Sequence, residues 1–165
     1  MNVTSGFDAG PSEWLVSEHP FVVRRCVKWG ECDPAGVVYT VNFSEYVIAL
    51  ANRFYAYLLG GSLESVKREH GFGTPVKALS FVFNQSLRPD ELFDMRLTVT
   101  DVRERSFDLT VEAVDLSGAS VFSAKLSPIC VTRPERRSIA IPPALRAKLL
   151  ERLEGKAVRT SEGEA

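Results

Sequence analysis

The chain has 165 residues, 45% of them hydrophobic and 25% charged, and a net charge of −1. Those proportions describe one globular domain, long enough to bury a core. Twenty basic against twenty-one acidic residues exclude a basic nucleic-acid surface and a polybasic membrane anchor. Cys26, Cys32 and Cys130 contain no CxxC pair, the start lacks the shape of a secretory signal, and no run is long enough for a membrane span. A cytoplasmic protein with reduced thiols, binding neither nucleic acid nor membrane, is expected.

Residues 1–18 mix Gly, Pro, Ser and acids without periodicity and are expected to form a mobile arm. One domain is expected over 19–153, with a disordered polar tail at 154–165. The segment 21–29, FVVRRCVKW, reads as a strand with Phe21, Val23, Val27 and Trp29 on one side. Asp33-Pro34-Ala35-Gly36 follows, a favourable recipe for a type I turn. From Asn42 to Leu59 apolar residues recur at Phe43, Val47, Leu50, Ala51, Phe54 and Leu58. Tyr46, Ile48, Ala49, Tyr55 and Tyr57 carry the apolar character around most of the circumference, so this helix must be largely buried. Gly60-Gly61 stops it, and SLESVKREHG continues as a polar helical segment.

Four alternating runs come next, centred on Leu79–Phe83, Met95–Val99, Phe107–Ala113 and Phe122–Leu126. Short polar turns join them, which describes an antiparallel meander. After Pro142-Pro143 a short C-terminal helix is expected. The order of strand, buried helix and further strands is an α+β layer architecture in which the sheet curls around the helix. Such a sheet leaves an edge open, so a partner subunit is expected.

Several chemistries are missing. There is no GxSxG, HExxH, P-loop or complete GxGxxG. His19 and His70 are the only histidines and have no metal-ligand spacing, so no metal site is expected. Arg133, Arg136 and Arg137 read as a solvated loop able to touch a phosphate. Glu45 reads as a first-turn carboxylate complementing the helix dipole.

The run Cys32-Asp33-Pro34-Ala35-Gly36-Val37-Val38-Tyr39, with Asn42-Phe43 and the buried helix behind it, resembles the signature of the hot-dog-fold 4-hydroxybenzoyl-CoA thioesterase family. Gly73-Thr74-Pro75-Val76, Leu87-Arg88-Pro89-Asp90-Glu91-Leu92 and Arg103-Glu104-Arg105-Ser106-Phe107 fall where that family places comparable segments. The resemblance covers about residues 20 to 152. It implies a hot-dog fold, a homodimer or homotetramer with sites between subunits, and hydrolysis of an acyl-CoA thioester without a further cofactor.

The resemblance makes Asp33 the catalytic carboxylate, attacking the thioester carbonyl or activating water, with the helix start near Thr40 polarising the carbonyl. It further implies substrate contacts at Gly36, Val41, Glu45, Ile48, Thr74 and Val76, and CoA contacts at Arg103 and Arg105. The physics is compatible, because a thioester is already electrophilic and one carboxylate with one oxyanion donor suffices. Apolar residues around Ile48 favour an apolar acyl or unsubstituted aryl group over a hydroxybenzoyl one. A hot-dog dehydratase or hydratase and a non-catalytic acyl-carrier-binding module stand as alternatives. The first normally needs a well-placed His.

Overall fold

Helix α1 (Asn42–Leu59) lies along the apolar face of an antiparallel sheet, and the other elements are arranged around that contact. The computed structural model describes residues 11–155. Its remaining elements are β1 (Glu13–Glu18), β2 (Phe21–Cys26), a 3₁₀ turn (Trp29–Glu31), α2 (Leu63–His70), β3 (Phe72–Gly73) and β4 (Val76–Phe83). They continue with β5 (Leu92–Val102), β6 (Phe107–Asp115), β7 (Ser120–Pro128), β8 (Val131–Thr132) and α3 (Pro143–Glu151). This is the expected α+β hot-dog architecture.

The main sheet has the order β1-β2-β5-β6-β7-β4, and β3 pairs with β8 as a separate ribbon. Every neighbouring pair is antiparallel, so β2 and β4 run in the same direction with three strands between them. Such strands require a crossover, and α1 supplies it. The strand period of two sends Phe93, Met95, Leu97 and Val99 of β5 inward, with Leu109 and Val111 of β6 and Phe122 and Leu126 of β7. Phe43, Tyr46, Val47, Leu50, Phe54 and Leu58 of α1 pack into the same core. Gly60 caps the helix at φ 70°, its N–H donating to the Ala56 carbonyl, a left-handed position that favours glycine. No helix of the described residues is long and apolar enough to cross a membrane.

Four expectations are corrected. The expected arm (1–18) ends in an edge strand, because β1 pairs with β2 from Glu13↔Arg25 to Glu18↔Phe21; residues 1–10 and 156–165 lie outside the described residues. The four strands are not one meander: β5, β6 and β7 are, but β4 sits beyond β7 at the far edge. Trp29 is not inward, because the strand ends at Cys26 and the ring stands 73% exposed on the 3₁₀ turn. Finally, α1 is not covered all round. Val41 just before it, and Glu45 and Ile48 within it, recur at four and three residues as an exposed stripe.

Leu109 of β6 is fully buried in the core, while Leu116 is 55% exposed in the β6–β7 turn. Leu109→Ala is expected to lower unfolding free energy by about 2–5 kcal/mol. Leu116→Ser should change it by less than about 0.5 kcal/mol. Urea unfolding of the two variants checks the contrast.

Candidate active site

The segment Cys32–Val38 closes on itself as a miniature hairpin. Cys32 and Val38 form an antiparallel bridge, and Asp33 N–H donates to the Val37 carbonyl at 2.9 Å. Gly36 N–H donates back to the Asp33 carbonyl at 2.9 Å, and Gly36 takes φ 77°, a left-handed position that a side chain would strain. The Asp33 side chain takes part as well: its Oδ1 accepts from Ala35 N–H at 2.8 Å, an Asx turn. The turn reading of the tetrapeptide therefore holds, and it leaves one carboxylate oxygen over. Oδ2 has no hydrogen-bond partner among the described residues.

That oxygen belongs to a residue lining a cleft of about 380 Å³ between the hairpin, the start of α1 and the end of β4. Val37, Val38, Phe43 and Phe83 form its apolar side, with the Phe43 and Phe83 rings 4.9 Å apart, edge to face. Thr40, Asn84, Gln85 and Ser86 form its polar side. Between Val38 and α1 the chain makes a tight turn, in which Asn42 N–H reaches the Tyr39 carbonyl and Phe43 N–H the Thr40 carbonyl. The Thr40 and Val41 amides make no hydrogen bond among the described residues. Asp33, with one carboxylate oxygen over, and Thr40, with its unclaimed amide ahead of the positive end of the helix dipole, thus line one cleft. Chemically this can deliver a base or nucleophile to a carbonyl and stabilise the oxyanion that forms.

Beneath the hairpin lies a charged network that sequence reasoning missed. Arg25 is 8% exposed, on the inward face of β2 beyond Val23. It forms ion pairs with Glu13 of β1 and Glu31 of the 3₁₀ turn, and its guanidinium stacks 4.1 Å from the Tyr46 ring of α1. Glu31 Oε2 also accepts from Tyr46 Oη at 2.7 Å and Lys28 N–H at 2.9 Å. The Glu31 carbonyl accepts from the Asn42 side chain and Tyr39 N–H. Burial by itself would raise the Glu31 carboxyl, but the Lys28 amide, the Tyr46 hydroxyl and Arg25 outweigh it and hold it below the usual range. Burial, helped by Glu31, pushes the Tyr46 hydroxyl up. The available signal was a charge where the alternation Phe21, Val23 called for an apolar residue.

The other residues singled out in the sequence divide. Gly36 belongs to the hairpin and Thr40 to the cleft. Val41, Glu45 and Ile48 lie on the exposed stripe rather than in the cleft. Thr74 and Val76 lie before and at the first residue of β4, whose other end reaches the cleft at Phe83. Arg103 is held by Asp108 (2.6 Å) and Asp101 and donates to Ser106 Oγ at 2.9 Å, so its charge is already matched. Arg103, Ser127 and Lys125 keep the buried Asp108 carboxyl well below its ordinary range. Arg105 is exposed, its nearest carboxylate Glu104 at 3.6 Å.

Because its folded pKa is depressed, Glu31 stabilises the fold above its unfolded pKa, and that contribution is lost as pH falls through the folded value. Glu31→Gln should therefore cost roughly 1.5–3 kcal/mol at neutral pH, the scale for hydrogen bonds to a charged group. The difference from wild type should shrink as pH drops below the ordinary carboxylate range. Urea midpoints from pH 7 down to acid for both proteins check the sign.

Comparison with curated proteins gives no sequence match. Among solved structures, the 1,4-dihydroxy-2-naphthoyl-CoA thioesterase from Synechocystis superposes with TM-score 0.71 at 21% identity, covering 79% of this chain and 96% of that one. A gentisyl-coenzyme A thioesterase superposes with TM-score 0.68 at 20% identity, covering 78% and 98%. A thioesterase-superfamily protein from Jannaschia sp. CCS1 gives TM-score 0.76 at 21% identity, covering 83% and 95%. These likenesses concern the fold. The sequence model of the thioesterase-like superfamily matches residues 27–149, from the end of β2 through most of α3. The chain belongs to the thioesterase-like superfamily.

Proposed function

We propose that the protein hydrolyses an aromatic acyl-CoA thioester to the free acid and CoA at the Asp33 cleft. The observation that carries this is the division of labour in one carboxylate. Oδ1 is fixed by the Ala35 amide while Oδ2 has no partner among the described residues, in a cleft that Thr40 also lines. A thioester carbonyl seated there would have its oxygen against the Thr40 and Val41 amides and its carbon before Asp33. Asp33 then attacks that carbon directly or takes a proton from a water that does. A carbon–oxygen bond forms and the carbon–sulfur bond breaks, the CoA thiolate taking a proton from solvent or, where Asp33 acted as base, from Asp33; where Asp33 itself attacked, water then cleaves the acyl–Asp33 anhydride to release the acid. Thr40 serves through its backbone N–H, so its side chain is not required.

The aromatic preference rests on Phe43, Phe83, Val37 and Val38 along one wall. Two similar structures carry the names of aryl-CoA thioesterases. Asn84, Gln85 and Ser86 give the opposite wall groups able to face a ring hydroxyl. The case for an unsubstituted ring rested on Ile48, which is on the exposed stripe, so it is not carried forward. A dehydratase reading is disfavoured by the histidines. His19 packs against Tyr57 and Arg152, and His70 lies near Phe72; neither lines the cleft.

Thr74 and Val76 enter through a second copy. The outer side of β4 has no neighbouring strand among the described residues, and Val82 and Phe83 of this strand are 61% and 45% exposed. Antiparallel pairing of two β4 strands about Leu79–Ser80 would set Phe83 opposite the partner's Val76 and complete the cleft. Light scattering at micromolar concentration should give at least twice the 18.3 kDa chain mass; a lone monomer would speak against the shared site.

Asn at position 33 keeps the Asx acceptor but loses the charge. Asp33→Asn should leave the melting temperature unchanged and lower thiol release from aryl-CoA thioesters roughly 10²–10⁴-fold. A fully active, stable Asp33→Asn protein would return this carboxylate to turn duty alone.

A further inference from the structure

Gln85, just beyond β4, belongs to two clefts at once. One is the Asp33 cleft; the other is a smaller one of about 190 Å³ that Leu87, Glu91, Leu92 and Asp115 also line. The backbone here is pinned, since the Asn84 and Gln85 amides both donate to the Val121 carbonyl, at 2.9 and 3.1 Å. The Gln85 side chain is pinned as well, its Nε2 donating to Asp115 Oδ2 at 3.0 Å. Asp115 is the last residue of β6. Its other oxygen, Oδ1, accepts from Ser117 N–H at 2.9 Å, Ser117 Oγ at 2.6 Å and Ala119 N–H at 3.0 Å.

Charge decides which way the Gln85 amide faces. A carboxylate only accepts, so the Nε2 end must turn to Asp115 and the Oε1 end away from it. The Ser117 hydroxyl first and Gln85 second bring the Asp115 carboxyl down to about 2, so it stays ionised at neutral pH. Gln85 Oε1 has no hydrogen-bond partner among the described residues. Asn84 is different. Its Nδ2 lies 2.8 Å from Ser120 Oγ, and a hydroxyl donates as readily as it accepts, so nothing of this kind fixes that amide. Thr40 and Ser86 carry hydroxyls with the same freedom. On the polar wall of the cleft, Gln85 is the group whose polarity a charge has set.

We propose that Gln85 sets the specificity of the Asp33 cleft, its Oε1 accepting from a ring hydroxyl of the acyl group, and that Asp115 is the positioning residue that keeps this oxygen free for the substrate. The proposal rests on the aryl-CoA reading above. The ring would lie against Phe43 and Phe83, with its substituent toward Gln85 on the polar wall. A hydroxyl can donate and is matched there. A methoxy oxygen only accepts, so it would meet another acceptor. Asp115 lines the smaller cleft and not the Asp33 cleft, so it acts through Gln85.

The test uses the full chain and pairs of substrates, hydroxybenzoyl-CoA and methoxybenzoyl-CoA, with the substituent ortho, meta or para. Wild type should favour the hydroxyl in kcat/KM at one ring position or more. Gln85→Met keeps the length and removes the acceptor, so that preference should fall roughly 2–10-fold. Asp115→Asn is the sharper probe. Its Oδ1 still serves the Ser117 and Ala119 amides, which puts an amino group where Oδ2 stood. Gln85 must then turn its oxygen to position 115 and its amino end to the cleft. In Asp115→Asn, kcat/KM for the methoxy compound should rise roughly 2–10-fold, a gain that damage to the turn cannot produce. Calorimetry with the corresponding ketone analogues, sulfur replaced by methylene, should show the same changes in affinity without chemistry. A wild type indifferent to the hydroxyl, an unchanged preference in either variant, or no methoxy gain in Asp115→Asn overturns the proposal. A wild type that discriminates the analogues as expected but hydrolyses neither thioester would defeat the proposed hydrolysis and leave the Gln85–Asp115 pair standing.

Discussion

A buried guanidinium holds this structure together where it matters for chemistry. Arg25 stands on the core face of β2, a position that would normally carry an aliphatic side chain, and an uncompensated charge there would be prohibitive. Its partners come from three separate parts of the chain: Glu13 from β1, Glu31 from the 3₁₀ turn and the Tyr46 ring from α1. Pairing the Arg25 charge therefore fixes the edge strand, the loop before Asp33 and the first turns of α1 relative to one another. Arg53 of α1 reaches Glu13 at 3.1 Å and extends the same network along the helix. The Asp33 hairpin begins at Cys32, the residue after Glu31, so the position of the carboxylate depends on a charge network it does not touch.

The second constraint is topological. Strands β2 and β4 run in one direction, so the connection between them has to cross the sheet, and α1 does so on the apolar side. The crossover delivers the start of α1 to one end of the sheet, beside the Asp33 hairpin and the end of β4. It also sends β4 to the edge of the sheet, with no strand beyond it among the described residues. One cleft wall is thus made by a strand that is itself unfinished, and the proposed second copy and acyl group meet along β4.

Much of this was legible in the residues. Helix α1 was read to its final residue because its apolar spacing is strong and Gly60 ends it, and β5, β6 and β7 because their alternation is regular. The Asp33 turn was legible because Pro and Gly at fixed offsets leave little choice of backbone. Strand β1 was not: Glu13–Glu18 has Trp14, Leu15 and Val16 all at least partly exposed, and an edge strand needs no alternation. The place of β4 was not legible either, since sequence order cannot distinguish a neighbour of β5 from a neighbour of β7. Arg25 and Arg103 defeated the reading for one shared reason. Each is matched by carboxylates whose pairing geometry the fold sets, Glu13 and Glu31 for the first and Asp108 with Asp101 for the second.

The central claim is that the Asp33 carboxylate and the amides at the start of α1 act on one thioester carbonyl. A crystal structure with a non-hydrolysable aryl-CoA analogue, its sulfur replaced by methylene, tests it most directly. The account predicts the ketone oxygen about 2.7–3.1 Å from the Thr40 or Val41 nitrogen and Asp33 Oδ2 facing the ketone carbon, directly or through one water. An analogue whose carbonyl sits away from both, with Asp33 still turned only toward Ala35, would contradict it.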